Sequence, residues 1–170
     1  VSALCNLLEC FFSEKYGFKL KEWLTSSSTS NSGVPAVRPE FIKRCVSYIF
    51  AFAFTWSICS TVHEQHIDRM NTLVRDSFPQ VIFPSVDTIY SYYLDIREID
   101  NILFRPWSER LSEFLYDKEL PFFSLLVPTI DTCRYSYISE WLLADKKHVY
   151  LTGQSGTGKS VILSTLLKEM

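Results

Sequence analysis

The chain has 170 residues, 47% of them hydrophobic and 15% aromatic, with a formal net charge of −2. That length and apolar content suffice for one ordinary domain with a real core. No run of Lys or Arg exceeds two, which argues against a general nucleic-acid surface. Five cysteines (Cys5, Cys10, Cys45, Cys59, Cys133) are odd in number, scattered and never in C-x-x-C spacing. They point to buried thiols in a reducing compartment, not to a disulfide framework or a zinc site.

Residues 1–24 read as helical. Leu4, Leu7, Leu8, Phe11 and Phe12 recur at three and four, and Leu20, Trp23 and Leu24 continue the face after Gly17. Residues 25–33 are a Ser-rich polar tract with nothing to bury, expected to be a flexible connection between structural units. It ends at Pro35 and Pro39, and Pro39 suits the first turn of the next helix.

From Cys45 to Val62 no residue is charged, a window at the lower edge of what can span a membrane. Ser47, Thr55, Ser57, Ser60 and Thr61 dilute the run, and no second span or strong basic flank accompanies it. A central helix of an α/β domain is the better reading. His63-Glu64-Gln65-His66 sets its histidines three apart, where the zinc-hydrolase motif needs four, so it reads as a solvated helix surface. Ile67, Met70, Leu73 and Val74 then face one way, with Asp68, Arg69 and Arg75 between or opposite.

Pro79, Pro84 and Pro106 punctuate the next stretch. Val81-Ile82-Phe83 and Ile89 to Leu94 read as short strands around a turn at 84–87. Tyr90, Tyr92, Tyr93 and Trp107 are expected to pack a core. Trp107, Leu111, Phe114 and Leu115 are spaced like a helix, with Ser108 as its cap. Leu125 to Pro128 is extended, because a residue before proline avoids the helical region. Thr129 or Asp131 can cap a helix carrying Ile130, Arg134, Tyr137, Ile138, Trp141 and Leu142, which ends before Lys146-Lys147.

The strongest signal comes last. Gly153-Gln154-Ser155-Gly156-Thr157-Gly158-Lys159-Ser160 fits G-x-x-x-x-G-K-[ST], the phosphate-binding loop. His148-Val149-Tyr150-Leu151 reads as the strand before it, and Val161, Ile162, Leu163, Leu166 and Leu167 as the helix after it. The glycines allow a tight turn that gathers backbone N–H groups onto one phosphate, and the helix start adds further donors. By this pattern Lys159 reaches the β and γ phosphates, and the Ser160 hydroxyl is a Mg²⁺ ligand. The segment 125–147 can wall the adenine side. The chain stops eleven residues after Lys159, before any acidic residue that could activate water, so the isolated piece is expected to turn over little or no ATP.

Val127-Pro128-Thr129-Ile130-Asp131-Thr132, Arg134-Tyr135 and then Val149 to Ser160 resemble the start of the third AAA+ module of dynein heavy chains, axonemal forms more than the cytoplasmic one. Phe50 to Ile58 resembles an apolar helix of that family, and Phe83 to Tyr92 a segment that precedes its P-loop. The departures are Gln154 where proline is commoner, a less acidic Tyr90-Ser91-Tyr92, and the Ser-rich tract 25–33.

The resemblance implies an α/β fold: a partial P-loop NTPase (AAA+) domain with an incomplete three-layer core, preceded by a mostly helical region with a short β insertion. It implies that 1–24 ends the preceding module's helical lid, 25–39 connects, 40–124 leads into the third module and 125–170 starts its core. It implies ATP or ADP with Mg²⁺, held by Gly153, Gln154, Ser155, Gly156, Thr157, Gly158, Lys159, Ser160 and Val161, with Val127, Pro128 and Thr129 beside the adenine. No catalytic residue is assigned within the chain. The implied partners are other AAA+ modules of the same heavy chain, with microtubules and dynein intermediate and light chains reached through other regions, and no nucleic acid or membrane. The implied setting is the cytoplasm and cytoskeleton, in the axoneme of a cilium or flagellum. There the family is a minus-end-directed motor and this module regulatory. The alternatives are another AAA+ machine or nucleotide kinase, and a structural segment whose pocket never fills.

Overall fold

A computed structural model describes residues 1–13, 39–96, 101–114 and 127–169. Expectations for Leu20, Trp23, Leu24, the Ser-rich tract, Leu115 and Leu125–Leu126 lie outside those residues. The chain divides into two compact units, Val1–Arg105 and Pro106–Met170.

The first unit is built on α2 (Pro39–Ser57), which starts at the proline expected to open it. Cys45, Tyr48, Ile49, Phe52 and Thr55 recur at three and four along it and are all buried. This stripe packs against α1 (Ser2–Phe12) and against the strand β1 (Tyr92–Asp95). The Phe11 and Phe52 rings meet edge-on, with centroids 5.5 Å apart. The segment Glu40–Thr61 is long and apolar enough to cross a membrane by length and composition alone. Its serine and threonine hydroxyls turn back onto their own backbone: Ser47 donates to the Lys43 carbonyl at 3.0 Å and Thr55 to that of Ala51 at 2.9 Å. Burial pushes the Cys45 thiol up to about 11, so it stays protonated and inert at neutral pH. Cys10, Cys45 and Cys59 are buried free thiols as expected, whereas Cys5 is exposed.

A short two-stranded sheet pairs β1 with β2 (Leu103–Pro106). Arg105 Nε reaches Asp95 Oδ2 at 2.7 Å across it. Phe104 stacks with Tyr48 at 5.6 Å and with Phe83 at 4.9 Å, which ties sheet, helix and loop together. The aromatic residues Tyr92, Tyr93 and Trp107 are buried, in line with core packing.

Three local expectations are corrected. Val81-Ile82-Phe83 is not a strand: Val81 turns back to donate to the Phe78 carbonyl at 2.9 Å, and the Ile82 N–H is taken by the Tyr48 hydroxyl at 3.1 Å. Ile89–Ser91 is a 3₁₀ turn, because Ser91 bonds back to Thr88, and only Tyr92–Asp95 pairs as a strand. Residues 107–114 are not a longer helix but one 3₁₀ turn, Trp107–Arg110, in which only Trp107 is buried to hold it against a core.

The helix α3 (Ile67–Ser77) buries Val74 with Cys59 and Ile89, and Met70, Phe78 and Tyr90 pack around them. Leu73, read from the sequence as part of that face, is instead 49% exposed. The Tyr90 hydroxyl donates to the Cys59 carbonyl at 2.9 Å, and burial pushes its pKa up to about 12. His66 ends the exposed 3₁₀ turn Glu64–His66 and His63 caps its start, where His63 Nδ1 accepts from the Gln65 N–H at 3.4 Å.

In the second unit α4 (Ile130–Ala144) packs against α5 (Lys159–Glu169) and against the Trp107–Arg110 turn. Trp107, Tyr137 and Trp141 form its aromatic core, with successive centroids 5.4 and 5.2 Å apart. Thr129 closes a capping box with Thr132: the Thr132 N–H donates to Thr129 Oγ1 at 3.1 Å and the Thr129 N–H to Thr132 Oγ1 at 2.8 Å. Such a cap contributes about 1 kcal/mol.

The other end of α4 turns without glycine. Lys146 adopts φ 59°, its N–H donates to Leu143 O at 2.9 Å and the Lys147 N–H to Leu142 O at 2.8 Å. This is the paired pattern of a left-handed helix stop, a position glycine fills without the Cβ penalty. Lys146→Gly is therefore expected to raise stability by about 0.5–1 kcal/mol. A denaturant midpoint no higher than wild type would count against this account of the turn.

Candidate functional site: the phosphate loop

His148 to Leu151 is the largest departure near the site. It was expected as a strand, yet it carries no strand pairing. Its exposure alternates as a strand's would, with His148 and Tyr150 out and Val149 and Leu151 partly covered. The side-chain pattern is thus strand-like, but no ladder partner for it lies among the described residues.

The loop follows directly. Gly153, Gly156 and Gly158 have φ of 150°, 83° and 80°, values that side-chain-bearing residues rarely adopt. At Gly156 and Gly158 an added Cβ would meet nothing within 4 Å, so the backbone conformation, not crowding, requires glycine there. Gly158 then begins α5 by accepting from the Ile162 N–H at 3.0 Å. The first N–H groups of α5, from Lys159, Ser160 and Val161, have no carbonyl four residues back within the helix to bond. They lie beside the glycines at the positive end of the helix dipole.

Ile162 and Leu166, one turn apart, are buried and anchor α5, while Val161 and Leu167, expected on the packed face, are exposed. Ser160 is exposed at the helix start, one residue after Lys159. Lys159 turns back onto the loop, donating from Nζ to the Gln154 carbonyl and to Thr157 Oγ1, the latter at 3.0 Å. Thr157 Oγ1 in turn donates to the Gln154 carbonyl at 3.0 Å.

Gln154, Ser155 and Thr157 are exposed, so the loop is open to a ligand from water. A ring of amides, a lysine and a helix start with no competing carboxylate among the loop residues suits an anion of high charge. Val127, Pro128 and Thr129 directly precede α4, the helix that packs against α5. Thr129 is engaged throughout by the helix start: its hydroxyl and N–H bond Thr132, and its carbonyl accepts from the Cys133 N–H at 2.9 Å.

Residues 114–170 match the family profile described as P-loop containing dynein motor region. Residues 1–109 match the one described as dynein heavy chain AAA lid domain. The chain belongs to the dynein heavy chains. The seam between the two profiles falls close to the division between the two compact units at 105/106. The fold is accordingly that of dynein AAA+ P-loop NTPase domains, mostly helical here with a small two-stranded sheet.

Dynein axonemal heavy chain 6 of Homo sapiens is 33% identical over the whole of this chain, which covers 4% of that relative. Dynein axonemal heavy chain 2 of Mus musculus is 32% identical over 86% of the chain and 3% of the relative. The dynein beta chain of the flagellar outer arm of Chlamydomonas reinhardtii is 31% identical over 75% of the chain, again 3% of the relative. This dynein segment thus spans a few per cent of the length of the curated relatives it matches. A P-loop domain of this family is a nucleotide-binding one.

Proposed function

We propose that this dynein segment binds MgATP or MgADP through Gly153 to Val161, as part of the AAA+ ring of an axonemal-type motor. The observation that carries the reading is the loop itself: three glycines at positive φ running into α5, with Lys159 turned onto them. In this reading the loop amides and Lys159 take the phosphates, the Ser160 hydroxyl holds Mg²⁺, and Val127 and Pro128 face the base. The bound metal would supply charge neutralisation between phosphate oxygens.

The relatives' names support a place in the axoneme of a cilium or flagellum, among other AAA+ modules of a longer heavy chain. The module's position as third in the ring, its regulatory character, and the service of microtubules through other regions rest on the sequence resemblance. So do the boundaries at 24, 39 and 124.

Amide hydrogen exchange of the full-length chain tests the binding reading. MgADP is expected to slow exchange at 153–162 by at least about tenfold, the effect of a ligand held well above its Kd. Exchange there that ignores saturating MgADP would leave only the structural role for this segment.

A further inference from the structure

The P-loop pattern names the glycines, Lys159 and Ser160, and leaves the residue between Gly156 and Gly158 open. Here that residue is Thr157, and its hydroxyl closes a three-membered ring. It accepts from Lys159 Nζ at 3.0 Å, donates to the Gln154 carbonyl at 3.0 Å, and Lys159 Nζ donates to that same carbonyl. The donors balance, because the hydroxyl has one proton to give and lone pairs to receive, and the ammonium has three protons.

The ring also fixes the lysine's stem. A Cβ placed on Gly153 would lie 3.8 Å from Lys159 Cδ, 3.8 Å from Thr157 Oγ1 and 4.0 Å from Lys159 Nζ, so the side chain lies folded across Gly153. A lysine is otherwise a flexible four-carbon chain that loses much rotamer freedom when its head is held. Two of its three N–H donors are committed to the loop, which leaves the third for an incoming oxygen.

We propose that Thr157 is a positioning residue for Lys159: its hydroxyl holds the ammonium over the loop so that a nucleotide's phosphate meets a lysine already in place. The proposal rests on the nucleotide reading of the loop. Its energetic content is preorganisation, since a head group held beforehand costs less to order when the ligand arrives. Gln154 contributes only its carbonyl, so the side chain at that position is free to vary.

The test reads Lys159 itself, in the full-length protein. The rate at which an amine-acylating reagent modifies Lys159 is measured by mass spectrometry of its peptide, with and without MgADP. Thr157→Val keeps the shape and removes the hydroxyl; Thr157→Ser keeps the hydroxyl and removes the methyl. Thr157 is exposed, so neither variant disturbs the core.

The valine variant is expected to modify about fivefold faster without nucleotide, the weight of one net hydrogen bond. It should also need about fivefold more MgADP for half-protection, with the serine variant matching wild type in both. Valine behaving as wild type, or serine behaving as valine, overturns the assignment. Wild-type Lys159 left unprotected at every MgADP concentration would remove the nucleotide reading instead, while the rates without nucleotide still judge the hydroxyl's hold.

Discussion

Lys159→Ala is expected to weaken MgADP binding about 100-fold, a loss of about 2.7 kcal/mol. The reasoning starts from the donors. The lysine is the one cation in the loop, and hydrogen bonds from a charged donor contribute about 1.5–3 kcal/mol each. Alanine removes such a bond to phosphate together with its Coulomb attraction, and it also removes the two contacts that tie Lys159 to Gln154 and Thr157.

Stability should change little, within about 0.5 kcal/mol, because α5 is anchored by Ile162 and Leu166 and not by Lys159. Photocrosslinking with an azido-ADP, whose reactive group is on the base, mapped to the 127–147 peptide across a concentration series, measures the affinity at this site. Equal half-saturation in variant and wild type would show that the lysine is incidental.

The loop was legible in the sequence because its conformation is written in residue types. Three left-handed φ values need three glycines, and a helix start needs a break in periodicity, so pattern and geometry coincide at Gly153 to Ser160. The helices α2 and α4 were legible for a similar reason. The buried stripe of α2 at three and four spacing, Pro39 at its start and the Thr129 cap of α4 all act locally, although Ile130, read as part of the α4 face, is exposed.

What the sequence hid was set by distant partners or by residues with no single meaning. His148 to Leu151 has strand-like alternation, but a strand exists only against a neighbour, and none lies among the described residues. Lys146 takes a left-handed conformation that its type does not advertise. Val81 to Phe83 is apolar and β-branched like a strand, yet the Tyr48 hydroxyl, far away in sequence, claims the Ile82 N–H that a ladder would need.

Arg75 is the clearest instance of a hidden role, and its replacement is expected to have the largest effect on the first unit. Spacing put Arg75 among the solvated residues of α3, but it is half-buried and reaches across to the 79–91 segment. Its Nη2 donates to the Pro84 carbonyl at 2.7 Å and to the Asp87 carbonyl at 2.8 Å, and its Nε to Asn71 Oδ1 at 3.1 Å. Asn71 Oδ1 also accepts from the Ile89 N–H at 3.1 Å, and the guanidinium lies 5.6 Å from the Phe83 ring.

One side chain therefore braces a proline-bent loop with little regular secondary structure of its own, and through Asn71 and Ile89 it steadies the cluster that Val74 and Cys59 complete. Arg75→Ala strands the partly buried Pro84 carbonyl, lets Asn71 swing and exposes one face of Phe83, for a cost of about 2–3 kcal/mol. Arg75→Lys should recover less than half, because a point-like ammonium cannot serve two carbonyls and an amide oxygen in one plane.

Denaturant midpoints give the sum, and exchange at individual amides gives the cause. The Asp87 and Ile89 amides, held by the Tyr92 hydroxyl and Asn71, should lose protection while those of α2 keep theirs. Uniform loss across the unit would mean that Arg75 supports the core as a whole; no loss at either amide would mean that the Tyr48 and Tyr92 hydroxyls hold the loop without it.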